Sequence, residues 1–535
     1  MSNWKKTMLA AAGAGGGSYY YNVWQSTGHT EIYNTGAALS SDGQAGVSFA
    51  SAADTLGYNR DVVVTRFDAD GNSIGQESFY LTNSYAQPYQ AATTGFFSDT
   101  DHFISTVIFN PNNSTTNHGG VAILAMNSGG NLDTSYSKAA MKRGSNYNVN
   151  GSAAFQADDG SIYQAHNHTF SGTNYAEWGF DRFKDFTGYG SSEVNATNVN
   201  SNGRTHNGGV RYKNNGTFTG TCGAMDVDTT NSAVFMYHTK NGQISKHTFT
   251  NNSANPTPEW VTYWNAGDIY QAGTQGIIGS RYNSAYVWAC SFQQGYNGNA
   301  SNAREETQDM ARLTRLNNSG GTKSQHWSFY ENNFYNVGYD FKRTVFLAMK
   351  EDDSGNLYLV YADGEGGNSY GRHLSYTLVQ QYQNTRVGVL KINSSGTVLS
   401  NNSVMGAFKN GQQQQLAVDL DIENNTVLFM GDTYTGTSTY RTKAVLKMPI
   451  DGSLNGTNYD IFGGNGKIYF EDSLSDYTLA VDSSVNFTTW TASAGDLNIQ
   501  YLSPIYYNLP YATDNLYIGE NPTTSHAVVN KVDLS

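Results

Sequence analysis

Leu416-Ala417-Val418-Asp419, Thr426-Val427-Leu428-Phe429-Met430 and Val445-Leu446-Lys447-Met448-Pro449, followed by Gly452, hold one complete copy of a unit that recurs along this 535-residue chain. Two apolar runs separated by a polar turn read as a pair of strands. The third run, an apolar residue, a spacer, Lys or Arg and another apolar residue, reads as a further strand. Its copies are Val64-Thr65-Arg66-Phe67, Ile123-Leu124-Ala125-Met126, Phe180-Asp181-Arg182-Phe183, Ile244-Ser245-Lys246-His247, Leu313-Thr314-Arg315-Leu316, Val389-Leu390-Lys391-Ile392, the quoted Val445 copy and Val529-Asn530-Lys531-Val532. Only the second copy lacks the basic residue.

The strand pairs recur too, beginning near Ala38, Gly95, Ala153, Ala224, Ile277, Leu347 and Leu479. Gly71, Gly130, Gly320, Gly396 and Gly452 each stand a few residues past the basic phrase, where a tight turn takes positive φ. An aromatic run such as Glu259-Trp260-Val261-Thr262-Tyr263-Trp264 or His326-Trp327-Ser328-Phe329-Tyr330 follows as a fourth strand. Four strands in a repeat of about 66 residues make a propeller blade. The last copy stops at Ser535, and Ser18-Tyr19-Tyr20-Tyr21-Asn22-Val23-Trp24 has the composition of its missing outer strand. The expectation is an all-β, eight-bladed β-propeller, with seven blades as the alternative, closed by pairing of the N- and C-terminal strands so that no edge stays open. Residues 18–535 form the single propeller domain and residues 1–17 a short N-terminal arm.

Composition limits the partners. Charged residues are 14% and aromatics 13%, so the chain is not of the disordered class. A net charge of −13 argues against nucleic acid, which needs a clustered basic surface. No run of about 20 apolar residues is present, so no membrane span is expected. One helix is indicated, from Asn302 to Met310, by a capping box of Asn302 and Glu305. The basic residues Arg66, Arg182, Lys246, Arg315, Lys391, Lys447 and Lys531 read as repeat framework, their stems packed between blades and their heads on a carbonyl or carboxylate. The other reading is a ring of cations around a channel. Cys222 and Cys290 read as buried thiols, with a disulfide as the alternative.

Catalytic and metal motifs are weak. Asp158, Asp159, Glu351, Asp352, Asp353, Asp363 and Glu365 supply loop carboxylates for glycoside hydrolysis, but form no diagnostic motif. Asp352-Asp353-Ser354-Gly355-Asn356 and Asp68-Ala69-Asp70-Gly71-Asn72 read as hairpin turns. His166-Asn167-His168 places two imidazoles on one strand face, a fragment of a metal site. No catalytic, cofactor or metal residue is assigned, no cofactor is expected, and the chain is expected not to be an enzyme.

Two resemblances add to this. The pairing of Ala417-Val418-Asp419 with a turn, an apolar strand and Leu446-Lys447-Met448 resembles the bacterial beta-propeller repeat, over nearly the whole chain beyond residue 25. The opening Trp4-Lys5-Lys6-Thr7-Met8-Leu9-Ala10-Ala11-Ala12-Gly13 resembles the starts of virion structural proteins from marine tailed bacteriophages. Together they imply a non-enzymatic, tail-associated phage virion component, assembled in the host cytoplasm as part of an oligomer. The arm would dock on other virion proteins through Trp4, Lys5, Lys6, Met8 and Leu9, and the propeller would contribute to attachment to a host glycan or surface receptor. The alternative is an extracellular carbohydrate-active or glycan-binding propeller: a secreted lectin, a glycosidase or a bacterial surface adhesin.

Overall fold

A continuous apolar run such as Val427-Leu428-Phe429-Met430 can be buried only if both faces of its sheet are covered. The computed structural model describes residues 18–26, 32–51, 60–82, 86–87, 95–98, 101–111, 118–143, 147–156, 162–170, 176–183, 222–228, 233–238, 243–248, 257–264, 272–293, 310–332, 341–366, 378–379, 382–408, 414–433, 442–464, 466–483, 486–491, 505–508, 511–513, 516–520 and 526–534. In it the whole strand Thr426–Asp432 is buried. Phe429 packs with residues of the preceding sheet, including Val360 and Val387, whereas Leu428 and Met430 pack with Ala37, Val47 and Val63 of another. Alternate side chains therefore serve two different neighbours.

The architecture is all-β. Among the described residues the strands form seven antiparallel sheets of three to six strands and one two-stranded ladder. Sheet 1 is Ile32–Leu39, Ala45–Ser51, Arg60–Phe67 and Ser73–Thr82; sheet 2 is Gly95–Phe97, Phe103–Pro111, His118–Met126 and Lys138–Arg143. Sheet 3 is Tyr147–Gln156, Ile162–Phe170 and Ala176–Phe183; sheet 4 is Cys222–Asp228, Ala233–His238, Gln243–Thr248 and Thr257–Trp264. Sheet 5 is Ala272–Gly279, Tyr286–Gln293, Met310–Asn317 and Lys323–Glu331; sheet 6 is Phe341–Glu351, Leu357–Gly366, Tyr382–Ile392 and Val398–Phe408. Sheet 7 is Ala417–Asp421, Thr426–Asp432, Thr442–Pro449 and, from the far end of the chain, Tyr20–Ser26. The first strand of each sheet lies against sheet-opening strands of its neighbours, and Ala417–Asp421 lies against Ile32–Leu39.

The eighth copy of the basic phrase does not begin an eighth sheet. His526–Asp533, which carries Lys531, pairs with Tyr20–Ser26, whose other edge pairs with Thr442–Pro449. Leu479 likewise opens no strand pair: Tyr477–Val481 lies outside Lys323–Glu331 of sheet 5. The last part of the chain instead runs back along the outer edges. Gly466–Asp472 pairs with sheet 6, Tyr477–Val481 with sheet 5, Phe487–Thr491 with sheet 4, Ile505–Asn508 with sheet 2, Leu516–Glu520 with sheet 1 and His526–Asp533 with sheet 7. An added outer strand needs the same half-buried apolar pattern as a blade strand, so the sequence pattern alone does not separate the two.

Hydrophobic clusters fill the space between successive sheets. Phe235 and Trp260 meet Ile277 and Val287 between sheets 4 and 5, while Trp288, Leu313 and Phe329 meet Phe346 and Leu359 between sheets 5 and 6. At one end of the sheets the hairpins are tight. The Asp68 carboxylate accepts the N–H groups of Asp70 and Asn72 at 3.0 and 2.7 Å, and Gly71 takes φ 78°. Asp352 does the same with Ser354 and Asn356, which accounts for the Asp352-Asp353 pair as turn chemistry. In the turn after Met310–Asn317, positive φ falls on Gly321, not Gly320, because that loop closes one residue later with Gly321 N–H on the Asn317 carbonyl. Met310 begins a strand; residues 302–309 of the expected helix lie outside the described residues.

Candidate functional site

The described basic residues of the repeated phrase lie against protein oxygens at the tight-turn end. Arg66, fully buried, donates to Gln44 Oε1 at 2.8 Å and to the Asp101 carbonyl and carboxylate at 2.7 Å each, while its guanidinium lies 5.0 Å from the Phe97 ring centroid. Asp101 stands at φ 60°, a conformation Asp tolerates better than most side chains. Lys447 donates to the carbonyls of Gly43 and Ala69 at 2.7 and 3.0 Å. Burial lowers its pKa to about 8, against the pull of Asp70, Asp42 and Asp68. Arg315 donates to the Ser394 carbonyl in the next sheet at 2.7 Å and lies over Tyr286, Trp288 and Trp327. Lys246 pairs with Glu259 at 2.7 Å, Lys391 lies 3.9 Å from Asp352, and Lys531 donates to Asn72 at 2.8 Å. The side chain of Arg182 lies outside the described residues.

The acidic residues closing the first strands also join neighbours. Asp419 accepts the Leu39 N–H and Asp226 the Gly279 N–H, each at 2.8 Å. Burial raises the pKa of Asp226, although Arg281 binds both its oxygens at 2.9 and 3.0 Å. Glu351, one of the candidate carboxylates, accepts from Ser280 Oγ and the Arg281 N–H at 2.7 and 2.8 Å, so it fastens sheet 6 to sheet 5.

The opposite end of the sheets is built differently. At it Tyr286–Gln293 and Leu357–Gly366 end, and there Leu378–Val379 pairs with Gln414–Gln415. Two sets of buried titratable groups lie close to the strand termini at this end. Asp363, 5% exposed, accepts from the Tyr477 hydroxyl at 2.7 Å. Burial, then the Asp363 charge, push the Tyr477 pKa well above its ordinary value, so the phenol keeps its proton and donates it. Arg386, opposite Asp363 in register, lies 3.1 Å from Glu471, 3.5 Å from Asp476 and 3.9 Å from Glu331. The second set is Lys443 and Asp432, cross-strand partners in direct contact and both buried. Burial lowers the Lys443 pKa, with Asp432 opposing. Each low-dielectric set, the one with carboxylates, a guanidinium and a phenol and the other with a carboxylate and an ammonium, can donate and accept hydrogen bonds with little solvent competition.

Of the seven candidate carboxylates, the structure places Asp363 at this end, Glu351 between sheets, and Asp352 and Asp353 in a turn. Asp158, Asp159 and the side chain of Glu365 lie outside the described residues, as do the side chains of His166, His168 and Cys222. The docking residues Trp4, Lys5, Lys6, Met8 and Leu9 lie outside them as well. Cys290 is a free, buried thiol whose pKa burial raises. Among the described residues no group of three or more His, Cys, Asp or Glu could hold a metal ion, and no helix is long and apolar enough to cross a membrane. Sequence reasoning missed Arg386, Tyr477, Lys443 and Asp432. Only the pairing of distant strands brings the first two together, and a Lys opposite an Asp leaves no trace in either strand alone.

No family model matches the chain, and no curated protein matches it. Solved structures do. A periplasmic gluconolactonase of Pseudomonas aeruginosa is 11% identical, with 71% of this chain and 95% of that one covered, at TM-score 0.37. An alpha-L-arabinanase of Penicillium chrysogenum, complexed with arabinobiose, is 8% identical over 81% and 98%, at TM-score 0.38. An endo-arabinanase of Bacillus licheniformis is 10% identical over 71% and 96%, at TM-score 0.23. These neighbours are enzymes, and the expectation that the chain is not an enzyme is corrected accordingly.

Proposed function

We propose that the chain is a closed seven-bladed β-propeller that acts on carbohydrate through the end opposite its tight hairpin turns. The difference between the two ends carries this reading. At the tight-turn end Arg66 and Lys447 sit on turn carbonyls, whereas the other end gathers Asp363, Arg386 and Tyr477 in one set and Asp432 and Lys443 in another, at strand termini whose following sequence is rich in Asn, Gly and Tyr. Aromatic faces with uncharged amides and a few oriented charges suit hydroxyl-rich ligands, which offer both C–H faces and donor–acceptor pairs. Asp363 would accept ligand hydroxyls and Arg386 would donate to ring or hydroxyl oxygens. An extracellular location goes with this reading, since polysaccharide is met outside the cell.

The test uses the full chain against a panel of plant and microbial polysaccharides and sugar lactones. Affinity electrophoresis reads binding, and release of reducing ends or ring opening reads turnover. Retardation or turnover on one substrate class, reduced at least tenfold by Asp363→Asn with the fold intact by circular dichroism, supports the proposal. Absence of both across the panel overturns it.

A further inference from the structure

After residue 458 the ladders thin out along the chain: Gly466–Asp472 still pairs on both edges, with Val398–Phe408 and Asn458–Ile461, and the strands that follow it do not. Among the described residues, Tyr477–Val481 pairs only with Lys323–Glu331, and Phe487–Thr491 only with Thr257–Trp264. In Gly466–Asp472 buried and exposed residues alternate, and Tyr477–Val481 is buried at Tyr477 alone. A strand with one ladder and one covered face opens at lower free energy than a strand with two of each.

At each step from one sheet to the next, this outer segment places a carboxylate on a guanidinium of a third strand. Between sheets 6 and 5, Asp476 lies 3.5 Å from Arg386, the Asn332 N–H donates to the Asp476 carbonyl at 2.7 Å, and Ser403 and Ser473 share a 2.6 Å hydrogen bond. Between sheets 5 and 4, Asp482 lies 2.8 Å from Arg312, whose side chain is 1% exposed, and the Asp482 N–H donates to the His326 carbonyl at 2.9 Å. A guanidinium this deeply buried tolerates loss of its carboxylate poorly, so docking of the segment and neutralisation of the arginine are coupled.

We infer that residues 473–483 and 486–491 form a strap, separable from the sheets it covers and held shut by the Asp476–Arg386 and Asp482–Arg312 latches. Closed, it covers the outer edges of Lys323–Glu331 and Thr257–Trp264. Open, it bares their backbone N–H and C=O rows, which accept an added strand. The sheets keep their mutual packing either way, because the clusters between them draw mainly on their own strands, with Ile468 and Phe470 serving sheet 6 and Tyr477 sheet 5.

Amide hydrogen exchange on the full-length protein tests this, comparing the natural chain with Asp482→Asn and with Asp476→Asn plus Asp482→Asn. The expected result is that 477–481 and 487–491 lose protection together, at least tenfold, while 341–351 and 426–432 change less than twofold. Equal loss in strap and sheets would show the segment to be integral, and unchanged strap protection would show that the latches hold nothing; either overturns the inference. Should the variants not fold, exchange of the natural chain in sub-denaturing urea decides it. A strap exchanges as one group at lower opening free energy than the sheets, and merging of the two groups refutes it.

Discussion

Residues 32–449 and residues 458–533 carry the same strand chemistry, yet the first group builds sheets and the second only borders them. Thr426–Asp432 has a ladder on each edge and an apolar cluster on each face. Tyr477–Val481 has one ladder and ends in Val481, 60% exposed. The lesson is that an apolar-polar alternation reports a covered face and says nothing about the number of partners.

The largest expected effect lies where that difference is greatest. Phe429→Ala removes a fully buried ring that packs with Val360 and Val387, and costs about 3–5 kcal/mol. Leu479→Ala, on a half-buried position of the outer segment, costs under about 1.5 kcal/mol. Urea midpoints of the two variants check this, and equal shifts would erase the distinction between the two regions.

Acid sharpens the comparison at one contact. His326, on Lys323–Glu331, hydrogen-bonds Thr314 at 2.7 Å and meets the edge of Phe487 of the outer segment. Burial, assisted by Arg312, lowers its pKa to about 3. The unfolded chain takes up this proton near pH 6.5 and the folded chain only near pH 3, so the stability is fully present above pH 6.5 and falls as pH falls through that window. The loss is on the order of 5 kcal/mol over the whole window, of which about 3 kcal/mol has gone by about pH 4.5. Denaturation midpoints between pH 7 and 4.5 should fall in the natural chain and flatten in His326→Gln.

Gly71→Ala tests a turn that supports the first region. Its φ of 78° disfavours any Cβ, and that atom would come within 2.7 Å of the Tyr20 ring. The expected cost is about 1–3 kcal/mol, read as a lowered melting temperature.

Much of this was legible in the sequence. The repeating strand pairs, the turn glycines and the basic phrase each state a local backbone or burial requirement, and those requirements reappear in the sheets, in Gly71 and in Arg66. What was hidden is relational. The eighth phrase gives no sign that Lys531 sits on an added fifth strand, because a strand does not record which edge it joins. The Asp363–Tyr477–Arg386 set is assembled from positions as far as 114 residues apart, and Asp432–Lys443 faces itself only through strand register.

The smallest expected effect isolates that missing relation. Lys447 and Lys531 occupy the same place in the same phrase, one in a sheet and one in the outer segment. Lys447 is buried and its ammonium satisfies the carbonyls of Gly43 and Ala69, so Lys447→Met leaves two acceptors without their donor and costs about 1–3 kcal/mol. The lowered pKa tempers this: between about pH 8 and 10.5 the folded chain sheds the Lys447 proton before the unfolded one does, so stability at this site rises with pH and the penalty of the substitution changes across that window. Lys531 donates to Asn72 on an exposed turn, where water replaces it, so Lys531→Met shifts the midpoint by less than about 0.5 kcal/mol. If the two substitutions cost the same, the outer segment is held as firmly as the sheets, and the shared phrase records a shared role after all.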